Sequence, residues 1–287
     1  MKVSTEISSA TRIVGERKAI EMLAKAGFDA MDLSLAYLAK CDWSVSPPTM
    51  LKHPLNSSEY VKYVKEIKKI AEDNGLKINQ SHAPIPTFIA QIRDSFKRSI
   101  ECSAIAGAEI CVIHPDNNYT AEQNADMYGA LLPFAKECGV KIATENMYSW
   151  DPQNKCALPA ACSSPESFLE HINAVNDPYF VACLDIGHAA MKGVNATPVD
   201  MIKTLGNKIE ALHIHDNNGI TDGHYIPGSG VVDFKGVVKA LKDVNYKGYF
   251  TLEADAHVND CNEENIFVAI KELYNSVRKL ADDFESL

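Results

Sequence analysis

Apolar and polar positions along this chain alternate between two periods. Short apolar runs of strand character fall at Val3–Ser8, Phe28–Ser34, Leu76–Gln80, Ala108–Ile113, Val140–Asn146, Tyr179–Ile186, Ile209–His215 and Gly248–Ala254. Each leads into a stretch where apolar residues recur at the 3.6-residue period of a helix face. Ile20, Leu23 and Ala24 mark one such face within Arg17–Ala26, and Val61, Val64, Ile67 and Ile70 another within Tyr60–Asn74. Further helices are predicted over Ile92–Ala106, Met127–Cys138, Glu166–Asn173, Val199–Leu205, Phe234–Val244 and Asn265–Leu280. Gly27, Gly75, Gly107, Gly139 and Gly248 stand just before the next strand. A helix exit there needs a positive φ, which glycine adopts at low steric cost.

Eight βα units with short αβ joints predict an α/β fold, a (β/α)8 TIM barrel. No linker or composition break divides residues 1–287, so one domain is expected. The longest stretch without a pattern, Ala36–Ser58, contains Trp43, Pro47, Pro48, His53 and Pro54. It follows the second strand and so belongs over the active face, where long loops are usually functional.

Composition narrows the function. A formal charge of −10 argues against a surface for duplex nucleic acid, which needs Lys and Arg to neutralise phosphates. The N-terminal stretch has no apolar targeting region and no run is long enough to span a bilayer, so a cytoplasmic protein with no membrane partner is expected. The eight cysteines lack CxxC spacing and read as reduced structural thiols. No helix carries a Leu-heptad seam, so a homo-oligomer is left open.

The candidate chemistry lies at the ends of the apolar runs. His82, His114, Glu145, Asp185 with His188, His213 with His215, and Glu253 each stand at or just beyond the C-terminal end of a predicted strand. In a parallel barrel those ends meet on one face. Carboxylates and imidazoles gathered there suit a divalent cation, Mn²⁺ first, with Zn²⁺, Mg²⁺ or Co²⁺ as alternatives. A lone buried His or Glu is more often a satisfied structural group. Several sharing one barrel end would repel or lack partners without a cation. Strand alternation puts His213 and His215 on one face, so either can reach inward. Trp43, Tyr148 and Trp150 fall in active-face loops, where an aromatic ring can stack on the apolar face of a ligand.

The ordered set comprises His82, His114-Pro115, Glu145-Asn146, Asp185-x-x-His188, His213-x-x-Asp216, Asp222-x-His224-x-x-x-Gly228-x-Gly230 and Glu253. It resembles the xylose isomerase-like barrel superfamily over nearly the whole chain. The resemblance implies a four-ligand metal site of Glu145, Asp185, His213 and Glu253, with His215 a further candidate because ketose 3-epimerases use an H-x-H motif. It also implies additional ligands at His82, His114, His188, Asp222 and His224, where the apurinic endonuclease IV-type branch places them. The implied activity is sugar isomerisation or epimerisation by proton transfer next to a carbonyl, through an enediolate. Glu145, Glu253 and His188 are the expected catalytic groups, and Asp216 and Asn146 are expected to orient the ligands. Trp43, His82, His114, Trp150 and His188 are expected to contact a small sugar or polyol. The alternatives are an inosose dehydratase-like or C-glycoside-cleaving lyase and an abasic-site phosphodiesterase. Against the nuclease stand only five arginines, all but Arg12 expected on outer helices, and Ala83-Pro84-Ile85 where that branch has a bulky aromatic. The loop after the seventh strand lacks the Arg of the 3-epimerases, so their substrate specificity is not carried over.

Overall fold

A computed structural model describes residues 1–42 and 49–287. Eight parallel strands form its centre: β1 (Val3–Glu6), β2 (Ala30–Ser34), β3 (Lys77–His82), β4 (Ile110–Val112), β5 (Lys141–Glu145), β6 (Phe180–Asp185), β7 (Ile209–His213) and β8 (Phe250–Leu252). Seven adjacent pairs hydrogen-bond in the order β7-β6-β5-β4-β3-β2-β1-β8. The ring closes between β7 and β8 through the parallel bridge Ile214–Leu252. There the Ile214 N–H donates to Thr251 O at 2.9 Å and the Glu253 N–H donates to Ile214 O at 3.0 Å. Each predicted strand is present, and the (β/α)8 barrel is the fold. No helix among the described residues is long and apolar enough to cross a membrane.

Two of the predicted helices are interrupted. Ile92–Ala106 is split at Ser95 into Ala90–Asp94 and Phe96–Ala106, and Met127–Cys138 into Ala121–Gly129 and Leu132–Cys138. In the second case Pro133 stands in the first turn of the new helix, where its missing N–H costs nothing. Arg93 therefore lies in a short helix of the loop after β3, not on an outer helix. Its guanidinium donates to Thr87 O at 2.8 Å and lies 3.5 Å from Asp116.

Two apolar compartments flank the barrel strands, and a third small cluster of Ala157, Met191 and Val194 lies apart from them. The large one fills the space between the strands and the outer helices, with Ile20, Leu23, Ile67, Ile100, Phe168, Leu241 and Ile270 among its members. A separate small cluster of Ile110, Val112, Ala143, Val181, Cys183 and Ala211 occupies the barrel interior on the β4–β7 side. Strand alternation puts Ala143, Cys183 and Ala211 on the same face as Glu145, Asp185 and His213, one layer below them. On the β1–β3 and β8 side the buried side chains include the polar groups Ser4, Asp32, Gln80 and Thr251. All eight cysteines are free.

Gly27, Gly75, Gly107 and Gly139 have positive φ, as expected. Gly248 does not; Asn245 takes the left-handed conformation at that helix exit, with φ 59°. Gly248 is needed for space instead. A Cβ there would lie 2.7 Å from Glu210 O and 2.2 Å from the Tyr246 hydroxyl, whereas one at Gly75 would meet nothing within 4 Å. Gly75→Ala should cost about 1 kcal/mol, from left-handed backbone alone. Gly248→Ala should cost about 3 kcal/mol, through overpacking. Denaturant unfolding of the two variants measures the difference.

Candidate active site

The end of the barrel where the strands terminate collects most of the acidic and imidazole groups flagged by the sequence. β6 and β7 pair with Asp185 opposite His213, and β5 and β6 with Glu145 opposite Cys183. Single ligand atoms of Glu145, Asp185, His213 and Glu253 lie within 4.8 Å of one another. His213 Nδ1 is 3.2 Å from Glu145 Oε2 and 3.1 Å from Glu253 Oε2. It is nevertheless in hydrogen-bonding geometry with neither. Convergence without hydrogen-bond alignment is what ligands around a shared ion produce.

Two further groups of donors adjoin this set. His82, His114 and Glu145 form one: His82 Nε2 is 3.0 Å from His114 Nε2, which is 3.1 Å from Glu145 Oε2. His188, His215, Asp222 and His224 form the other. Asp222 Oδ2 is 3.3 Å from His188 Nε2 and 3.1 Å from His224 Nε2, and Asp222 Oδ1 is 3.4 Å from His215 Nε2. His215 also reaches Asp185 Oδ1 at 3.1 Å. Both histidines of His213-x-His215 thus point inward, but into different groups. His213 belongs to the four-residue set, and His215 joins that set to the Asp222 group.

Tautomers are imposed from behind. The Nδ1 atoms of His82, His188, His215 and His224 lie 2.8, 2.9, 3.2 and 2.7 Å from the backbone carbonyls of Ala83, Asn146, Asp216 and Glu253. A carbonyl only accepts, so each Nδ1 carries a proton and each Nε2 turns inward, leaving its lone pair for a cation. Asp185 Oδ2, His213 Nδ1, His215 Nε2 and Asp222 Oδ1 are buried without a hydrogen-bond partner. Orphaned acceptors at this density are costly unless a cation is shared among them. The donor set therefore fits one or more divalent ions of the oxygen- and nitrogen-binding kind.

Without an ion, the charges redistribute. Burial lowers the His188 pKa, but Asp185, Asp222 and Glu145 outweigh it and hold the group at about 10. Burial likewise opposes charge on His224, yet hydrogen bonds to Asp222 and Asp255 lift it to about 12. Burial raises the Glu145 carboxyl, and His213 and His114 more than reverse that, holding it well below the usual range.

Asn146 braces two strand ends: its Nδ2 donates to Asp185 O at 2.9 Å and its Oδ1 accepts from Asp185 N–H at 2.8 Å. Asp216 departs from expectation. Its carboxylate accepts from the backbone N–H groups of Asn217, Gly228, Gly230 and Val232 at 2.8–3.0 Å. It folds the loop that delivers Asp222 and His224, and its side chain does not orient a ligand. Gly230 permits that fold, since a Cβ would lie 2.1 Å from Asn217 O.

Above the donors opens a cavity of about 470 Å³ lined by His82, Phe88, His114, Glu145, Tyr148, Trp150, His188, Asp222 and Glu253. Tyr148 and Trp150 stand on one strand of the hairpin Tyr148–Asp151 and Cys156–Pro159, and the Tyr148 hydroxyl donates to Asp222 at 3.2 Å. Trp43 lies outside the described residues. Phe88, an exposed aromatic six residues after His82, was not anticipated; its signal was an aromatic in the loop after β3. Asp32 and Gln80 were also missed. Asp32 Oδ2 is 3.2 Å from His213 Nε2, and Gln80 Nε2 donates to the same oxygen at 2.8 Å. A charged residue inside the buried strand Ala30–Ser34 was the available sign. A larger cavity of about 780 Å³ at the opposite end of the barrel is lined by Gln80 but by none of the clustered histidines or carboxylates.

The comparisons with known proteins agree with this architecture. An uncharacterised protein of Methanocaldococcus jannaschii is 32% identical over 173 residues, covering 55% of this chain and 57% of the relative. Fructoselysine 3-epimerase of Escherichia coli O157:H7 is 28% identical over 130 residues, covering 45% of this chain and 44% of the relative. The chain thus spans about half the length of the curated relatives it matches. Among solved structures, a D-tagatose 3-epimerase-like protein superposes with a TM-score of 0.69 at 23% identity, covering 98% of this chain and 99% of that one. A 3-keto-D-glucoside 4-epimerase from Escherichia coli gives 0.71 at 16% identity, covering 97% and 99%. At such identity the likeness is one of fold. Residues 20–281, most of the chain, match the family model for the xylose isomerase-like TIM barrel, and the chain belongs to that family.

Proposed function

We propose that this protein is a divalent-cation-dependent sugar isomerase or epimerase, working as one domain over residues 1–287. One observation carries the reading: two carboxylates from separate strands, Glu145 and Glu253, converge on His213 Nδ1 at the floor of an aromatic-walled cavity. Glu145, Asp185, His213 and Glu253 would hold the cation. Bound there, it would polarise a substrate carbonyl and stabilise the charge that develops on the neighbouring oxygens.

The residues divide the remaining work. Glu253 is a quarter exposed to the cavity, whereas Glu145 is buried beneath His114 and His213. Glu253 therefore takes the proton from the carbon beside the carbonyl, and Glu145 returns it. Return to the opposite face of the same carbon gives an epimer, and return to the adjacent carbon gives an aldose–ketose isomer. His188 presents Nε2 to the cavity for a substrate oxygen, while Trp150 and Tyr148 offer ring surface to the sugar's C–H face. The match to a fructoselysine 3-epimerase supports a substrate with a ketose core.

A second reading, phosphodiester cleavage at abasic sites, is favoured by one feature: the two additional donor groups around His114 and Asp222, which suit several cations. The net charge of −10 and the small number of arginines weigh against a DNA groove.

Three outcomes are expected. In deuterated buffer, NMR with ketohexoses and inososes should show deuterium entering next to a ketose carbonyl without loss of water; loss of water from an inosose would indicate the lyase instead, and cleavage of abasic duplex without exchange would establish the nuclease. Glu253→Gln should lower turnover about 100- to 10,000-fold with the circular dichroism spectrum unchanged; near-normal turnover removes Glu253 from its role. Because His188 and His224 hold protons beside carboxylates whose charge a cation would neutralise, Zn²⁺ affinity should rise between pH 6 and 8, with net proton release in calorimetry run in two buffers. An affinity independent of pH would contradict this.

A further inference from the structure

One buried carboxylate has no place in the chemistry above. Asp32 sits in the middle of β2, in unbroken register with Glu6 of β1 and opposite Gln80 of β3, where one extra residue, Asn79, interrupts the pairing on the β3 side. Strand alternation turns its side chain into the barrel interior. Asp32 is almost fully buried, and its Oδ1 has no hydrogen-bond partner. Among the described residues, its ion-pairing partner within 4.0 Å is His213, at 3.2 Å between Oδ2 and Nε2.

The groups behind it form a line of hydrogen bonds whose direction is determined. Ser4 Oγ donates to Asn79 Oδ1 at 2.7 Å, and Asn79 Nδ2 donates to Gln80 Oε1 at 3.1 Å and to Thr251 Oγ1 at 3.2 Å. Thr251 Oγ1 in turn donates to Gln80 Oε1 at 3.3 Å. With two donors on its oxygen, the Gln80 amide must turn Nε2 toward Asp32, to which it donates at 2.8 Å. Gln80 Nε2 and His213 Nε2 are 3.1 Å apart, but both are donors aimed at the same carboxylate oxygen. The line therefore ends on Asp32 as acceptor, and the proton on the His213 ring faces away from the cavity.

We propose that Asp32, held in place by Gln80, is the positioning residue of this site. Its Oδ2 keeps His213 bound by Nε2–H, so that Nδ1 faces Glu145 and Glu253 as the ligand atom. A carboxylate behind a ligating imidazole fixes its orientation and raises its basicity. Replacing that partner typically costs about 10- to 100-fold in metal affinity. The inference rests on reading Glu145, Asp185, His213 and Glu253 as a cation site.

The test uses the full chain and Zn²⁺ competed against a chromophoric chelator, at the site that Glu253→Gln weakens. Asp32→Ala should weaken Zn²⁺ about 10- to 100-fold. Asp32→Asn, which keeps an acceptor without charge, should fall in between, and Gln80→Leu should lose a few-fold. If Asp32→Ala does not fold, the other two variants carry the comparison. A second readout is the hydrogen-bonded Nε2–H resonance of His213, assigned through its disappearance in His213→Asn. It should be present in the wild type with or without Zn²⁺, shifted in Asp32→Asn and lost in Asp32→Ala. Unchanged affinity in all three variants, or an unchanged resonance in the Asp32 variants, overturns the inference. A wild type that takes up no Zn²⁺ overturns the proposed function instead, and the Nε2–H resonance still decides the role of Asp32.

Discussion

The structure depends on charge compensation at the open end of the barrel. Glu145, Asp185, Asp222 and Glu253 stand with six imidazoles in adjoining groups, the ligand atoms of each group within 4.8 Å of one another, all of them buried or half-buried. Carboxylates packed this closely repel, and each buried one forfeits hydration worth several kcal/mol. Without an ion, His188 and His224 take up balancing protons, and the neighbouring carboxylates hold both far above their ordinary range. A divalent cation provides the same compensation with fewer particles and better geometry. The proposed chemistry follows from that exchange, because the groups that hold the charge also face the cavity.

The barrel makes such a cluster tolerable by bracing it from below and behind. Backbone carbonyls fix four histidine tautomers, and Asn146 ties the end of β5 to that of β6. Asp216 folds the loop that delivers Asp222 and His224. The barrel interior is divided, with Val112, Ala143 and Cys183 on one side and Ser4, Gln80 and Thr251 on the other. The polar half costs packing energy, and its hydrogen bonds lead to His213. Rigid donors held by side chains that do not themselves touch a ligand are what a preorganised site requires.

Much of this was legible in the residues. The strands announced themselves as apolar runs ending in His, Asp or Glu, and a parallel barrel leaves few places for those ends to meet. The residues missed were those whose role is set by neighbours distant in sequence. Asp32 becomes a partner of His213 only because the closed ring brings the interior faces of β2 and β7 together, and the two are separated by 181 positions. Asp216 looked like a ligand-orienting group from its spacing, yet the turn through Gly228 and Gly230 captured its carboxylate. Gly248 looked like a helix exit, but Asn245 took the left-handed conformation and left Gly248 to make room for Tyr246 and Glu210 O.

What the amino-acid order determined by itself was periodicity: eight alternations of period 2 and period 3.6, and the chemical type of the residue closing each strand. Those are local properties, set by side-chain shape and burial along a few residues. Tertiary structure decided which atom of each residue faces which other. It assigned His213 to the four-residue set and His215 to the Asp222 group, left Glu253 open while burying Glu145, and backed His213 with Asp32. Distances between groups on separate strands depend on register, twist and closure of the whole ring, and no local segment encodes them.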